Sequence, residues 1–160
     1  MATYDLRWHP ARTTPGGRWL LTGFVAGAIS VLTFHQGAFA ILNMMDFTEH
    51  PLYSMTATHP LGLPSIWSLA LWGGIWGLIF AAFFMPLWGG ALVSAGILFG
   101  AFVLSAVAWF VVAPIKGNSI AGGAVPMAMA AAMIANGAWG LGTALGLALF
   151  GRPRRAWDAS

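Results

Sequence analysis

The stretch SIWSLALWGGIWGLIFAAFFMPL, Ser65 to Leu87, contains no charged side chain. A helix needs about 20 mostly apolar residues to cross the hydrocarbon core of a bilayer, and this run supplies them. Three further stretches read the same way: Trp19 to Leu42, Gly90 to Pro114 and Val125 to Phe150. The chain has 160 residues, of which 59% are hydrophobic and 7% charged. Soluble domains carry roughly 25% charged residues, so a water-facing surface cannot be built from this composition. The expected fold class is an all-α membrane protein: one integral domain over residues 1–160, folded as a four-transmembrane-helix bundle. The bilayer is its first partner.

The cations set the expected topology. Arg7, Arg12 and Arg18 precede the first span, Arg152, Arg154 and Arg155 follow the last, and Lys116 stands apart. Lys and Arg stay on the cytoplasmic side of inner-membrane proteins. An even number of spans then places both termini in the cytoplasm, with the segments 43–64 and 113–123 facing outward. This accounts for the basic ends without a nucleic-acid partner. Trp19, Trp67, Trp88 and Trp109 fall near span ends, where indoles favour the interface. A competing reading takes the first run as a signal peptide cleaved near Ala38-Phe39-Ala40, although Thr33, His35 and Gln36 interrupt its apolar part.

Chemistry is sparse. There is no cysteine, which excludes disulfides, thiolate metal sites, iron–sulfur clusters and cysteine nucleophiles. No nucleophile elbow, phosphate loop, paired carboxylates or zinc-protease motif occurs, so no enzymatic activity is expected. No Asp, Glu, Lys or Arg lies within a span, which argues against a charged proton relay or an ion-coupled transporter.

The spans carry an internal echo. GGIWGL (Gly73–Leu78) resembles NGAWGL (Asn136–Leu141), each a little over three turns after a proline, Pro64 or Pro126, suited to a helix's first position. The first and third spans share Gly-x-x-x-Gly, at Gly23/Gly27 and Gly96/Gly100. Two copies of one helical hairpin would give this pattern, as would chance in a Gly-, Ala- and Trp-rich composition. Small residues let helices approach closely in lipid. Gly73/Gly77 and Gly142/Gly146 offer the same device, and the Ala/Gly-rich fourth span is expected to be largely enclosed.

His35 and Gln36 are the polar anomaly, because such groups are expensive in hydrocarbon. On a regular helix Gly23, Ala26, Gly27, Ser30, Thr33 and Gly37 share one face, while His35 and Gln36 fall about 140° and −120° from Ser30. Either the first span is flanked by helices on both sides, or the pair faces something outside the chain. His35 lies about 7 Å outward of the middle of its span. Ser105 and Asn136 fall at similar depth, so a network of His35, Gln36, Ser105 and Asn136 is geometrically feasible. Such contacts contribute about 0.6 kcal/mol each on average. The alternatives are haem or chlorin ligation and quinone or proton chemistry at His35, with Gln36 beside it. A bis-histidine haem lacks its second intramembrane histidine, and Met129, Met133 or a partner chain would have to serve.

The outer segment NMMDFTEHPLYSMTATHPLGLPS (Asn43–Ser65) carries His50 and His59 with Met44, Met45 and Met55. These are candidate zinc or copper ligands, but their spacing matches no tight motif, and an interfacial loop with His-Pro turns is the competing reading. Such a loop is also where an outer partner would touch.

FHQGAFAIL in the first span, PLYSM in the outer segment and GLPSIWSLALWGGIWGL leading into the second resemble a group of small, four-span proteobacterial inner-membrane proteins. The resemblance covers roughly the first half of the chain and the four-span layout. It implies a bacterial inner-membrane location and no particular activity, and singles out His35, Gln36, Pro64, Trp72 and Trp76. The expected role is a non-enzymatic accessory or scaffold subunit, or a self-associating bundle, with other membrane subunits or further copies as partners. The alternatives are a small subunit binding haem, chlorin or quinone through His35, and a transporter or channel component.

Overall fold

The computed structural model of the chain describes residues 16–58 and 62–151. Four helices in it are long and apolar enough to cross a membrane: α1 (Gly17–Met44), α2 (Ser65–Phe84), α3 (Gly89–Ile115) and α4 (Pro126–Gly151). Every boundary falls within three residues of the sequence expectation. At 1.5 Å per residue, the 20-residue α2 is about 30 Å long, the hydrocarbon thickness, and the others are longer. Pro126 occupies the first turn of α4 as expected, whereas Pro64 sits one place earlier than expected, at the extended N-cap of α2. The outer segment between α1 and α2 adds two short antiparallel strands, β1 (Ala57–Thr58) and β2 (Leu63–Pro64), with Ala57 opposite Pro64.

The helices pack in the order α2, α1, α4, α3, so α1 is flanked on both sides. The ring closes between α2 and α3 through aromatic contacts of Phe99 with Trp76, Phe80 and Phe84. Of the two tryptophans singled out in this span, Trp76 thus faces inward while Trp72 is exposed. Trp67 and Trp88 are exposed, as interfacial indoles would be. Trp19 is not: it is buried, and its Nε1 donates to the Ala81 carbonyl at 2.7 Å.

Glycine explains the two tightest seams. On α1 and α2, a Cβ on Gly27 would strike the Gly73 carbonyl oxygen, and one on Gly77 would strike that of Gly23. On α3 and α4, a Cβ on Gly100 would strike the Asn136 carbonyl oxygen, and one on Gly140 would strike that of Gly96. Laying GGIWGL on NGAWGL puts Gly73 on Asn136 and Gly77 on Gly140. The two seams therefore use equivalent positions. Ala81 and Ala144, each four residues further on, repeat the match: they are what a Cβ on Gly23 and on Gly96 would meet. Gly142 and Gly146 serve a third contact, against Ser30 and Ala26 of α1. α4 contributes eight buried residues before its last turn, consistent with its composition. α3 is the least covered helix.

α1 is not a regular α-helix throughout. Val31–His35 form a π turn, in which the Gln36 N–H reaches back five residues to the Val31 carbonyl. One extra residue in a turn sets everything after it back by about 100°. As a result His35 and Phe39 turn inward and are buried, while Gln36 is buried beneath the outer segment. Thr33 is exposed, and a Cβ on Gly37 would meet nothing. This corrects the expectation that Thr33 and Gly37 continue the packing face of Gly23, Gly27 and Ser30. That expectation assumed an unbroken 3.6-residue period.

Candidate functional site

The polar residues of α1 gather beneath the outer segment. Gln36 Oε1 accepts the backbone N–H of Tyr53 at 2.9 Å, and the Tyr53 hydroxyl donates to the Leu32 carbonyl at 2.8 Å. A π turn loosens the regular hydrogen-bond ladder, and Leu32 lies within it. Near the end of α1, Asn43 binds His50 twice. Its Nδ2 donates to the His50 carbonyl at 2.7 Å, and its Oδ1 accepts the His50 N–H at 3.1 Å. The His50 ring then stacks on Phe39, with centroids 3.8 Å apart and planes 17° apart. Burial holds the His50 imidazole below its ordinary pKa, because a charged ring there would lose water.

His35 lies one layer deeper. Its ring meets Phe39 edge-on, with centroids 5.1 Å apart, and stands beside the Asn136 side chain and within electrostatic reach of His50. Asn136 in turn donates through Nδ2 to Ser105 Oγ at 3.0 Å, and Ser105 is fully buried. The expected grouping of His35, Ser105 and Asn136 is thus brought together across α1, α3 and α4. Gln36 is not part of it, because its amide is committed to Tyr53. Among the described residues, His35 Nδ1 is the one buried side-chain nitrogen or oxygen without a hydrogen-bond partner. A buried orphan of this kind costs on the order of 1–3 kcal/mol.

The backbone over this cluster is strained at one place. Tyr53 has φ +47°, a left-handed conformation that bulky residues rarely adopt. Its N–H and its hydroxyl are both tied to α1, which is how such a conformation is held. Asp46, just past the end of α1, has φ +54°, a milder case for an Asp.

The metal candidates divide. His59 lies outside the described residues. His50 is held by Asn43 and Phe39, and among the described residues no three of His, Asp or Glu converge. Met44, Met45 and Met55 are exposed. Met133, considered as a second haem ligand, lines a shallow groove with Ile97 and Ala101 between α3 and α4. Residues not singled out by spacing complete the site. Phe39 and Asn43 lie in α1 beyond the π turn, and Tyr53 is within the PLYSM stretch. Trp139, within NGAWGL, donates through Nε1 to the Gly27 carbonyl at 2.9 Å. No protein-family model, curated protein or solved structure matches the chain.

Proposed function

We propose that the chain is a multi-pass protein of the bacterial inner membrane, with both termini cytoplasmic, acting as a non-enzymatic accessory or scaffold subunit. Its two halves are read as repeats of one helical hairpin, on the strength of the equivalent glycine seams. The observation that carries the functional reading is the fastening of the outer segment. Gln36, Leu32, Asn43 and Phe39 each contact it, and a strained Tyr53 is held by two hydrogen bonds. Gln36 and Asn43 of the first span thereby fasten the described part of the outer segment at Tyr53 and His50. An outer segment fastened in this way suits recognition by another subunit or a second copy.

The test is purification of the full chain in native lipid, with and without Gln36→Leu. The expected result is a stoichiometric companion, or a defined homo-oligomer, that is weakened when the outer segment is released. A monomer in both forms would sink the reading.

One observation favours a second reading. The unpartnered Nδ1 of His35 is suited to ligate haem or chlorin, or to hydrogen-bond a quinone carbonyl. Oxidised and reduced absorption spectra of the purified protein and of His35→Ala address it. A band lost in the variant supports ligation of a coloured group. A lipid extract carrying stoichiometric quinone only with His35 present supports the quinone form.

A further inference from the structure

α1 and α4 enclose an apolar groove of about 480 Å³ on the outside of the molecule. Its floor is where the two helices touch through small residues, Ala26 against Gly146 and Ser30 against Gly142. Its walls are large exposed side chains, among them Leu21, Val25, Ile29 and Leu149. Along α1 the groove runs from Leu21 to Phe34, a rise of about 20 Å. One leaflet of hydrocarbon is about 15 Å deep, so the groove is long enough to hold a single acyl chain through the whole depth of one leaflet.

A charge stands one turn beyond one end of the groove. Arg18 is exposed and lies three and four residues before Leu21 and Thr22, on the same helix face. The Thr22 hydroxyl donates to the Arg18 carbonyl at 2.8 Å, which fixes the turn between them. A cation in that position stands at head-group level when the chain of a lipid fills the groove. An apolar slot long enough to span one leaflet, with a guanidinium one turn beyond its end, complements a phospholipid with a net negative head group.

We propose that the α1–α4 groove is a binding site for one anionic phospholipid, its acyl chain between the two helices and its phosphate paired with Arg18. The proposal rests on placement of the chain in a bilayer and not on the scaffold role. Arg–phosphate pairing is charge-assisted and geometrically specific.

The test is native mass spectrometry of the full chain, exchanged from detergent into phosphatidylglycerol or phosphatidylethanolamine at equal concentration. Bilayer insertion is read separately, by resistance of the membrane-bound protein to carbonate extraction. The expected result is one phosphatidylglycerol retained, with a preference over phosphatidylethanolamine that falls about fivefold in Arg18→Gln, the worth of one cation near an anionic lipid. Ile29→Trp, at an exposed wall position, fills the groove and removes the bound lipid while the helical circular dichroism is unchanged. Equal retention of the two lipids, an unchanged preference in Arg18→Gln, or a second protein chain in place of lipid would overturn the proposal.

Discussion

The indole of Trp139 bridges the α1–α2 seam from the opposite hairpin. Its Nε1 donates to the Gly27 carbonyl at 2.9 Å, and a Cβ on Gly73 would come within 3.2 Å of the same nitrogen. The contact is reciprocated, because Ser30 Oγ donates to the Trp139 carbonyl at 2.7 Å. One residue of α4 therefore reads two of the four glycines that bring α1 and α2 together. Hydrogen bonds in membrane bundles are individually weak, and this carbonyl also accepts the Val31 N–H, so the indole is its second donor.

Trp139→Phe should keep most of the packing and lose the donor, lowering stability by about 1 kcal/mol. Trp139→Ala should cost about 3–5 kcal/mol through the cavity it leaves. Unfolding of the purified protein in a detergent series measures both. A Trp139→Phe variant as stable as the original would show that the hydrogen bond has no separate role.

Gly77→Ala and Gly140→Ala should behave alike, because each places a methyl against the carbonyl oxygen of a facing glycine, Gly23 and Gly96 respectively. Each should destabilise by about 1–3 kcal/mol through forced separation of the helices. Gly37→Ala has open space around it and should be neutral or stabilising by about 0.5–1 kcal/mol. The same detergent series checks all three, and a harmless Gly140→Ala would count against the equivalence of the seams.

Gln36→Leu and Tyr53→Phe should each loosen the outer segment by about 1 kcal/mol. Limited proteolysis within residues 51–55 should speed up about fivefold for either one. The double variant should cost less than the sum, because both bonds restrain the same strained residue. Strict additivity would mean that the two bonds act on independent parts of the loop.

The outer segment should also respond to pH through His50. Its pKa in the folded chain lies below its ordinary value of about 6.5, because of burial. The neutral ring is favoured in the docked state, so its contribution is fully present above about pH 6.5. As the pH falls from there, the released loop takes up the proton first, and stability is lost until the folded pKa is passed. Proteolysis of the loop at pH 5.5 should therefore exceed that at pH 7.5, and His50→Phe, which keeps the stack on Phe39, should remove the difference.

The four spans were legible because a run such as Ser65–Phe84 has no soluble alternative, and the glycine seams because small residues leave a fixed spacing. The meeting of Ser105 with Asn136 followed from depth alone. The direction of His35 was not legible, because the π turn at Val31–His35 breaks the period on which helical-wheel reasoning depends, and no residue in VLTFH announces it. The pairing of Gln36 with Tyr53 was hidden for another reason. The two are linked by a turn at Asp46 and a strained backbone at Tyr53, and neither residue type advertises a left-handed conformation as glycine does. Trp19 misled because an indole at a span end favours the interface in general, whereas here the Ala81 carbonyl offers it a buried acceptor.

The order in which these contacts can form follows the order of synthesis. The seam of α1 and α2 is complete once Phe84 has emerged, since Gly23, Gly27, Gly73, Gly77 and Ala81 all lie before it. The outer segment is fastened by then too, for its anchors are all on α1. The second seam closes only with α4, and Trp139 arrives with it. The last described residue, Gly151, packs on the ring of Trp19, near the start of the first helix. A nascent chain would thus have one hairpin packed before the second is made, and the last turn of α4 would then dock beside the first turn of α1.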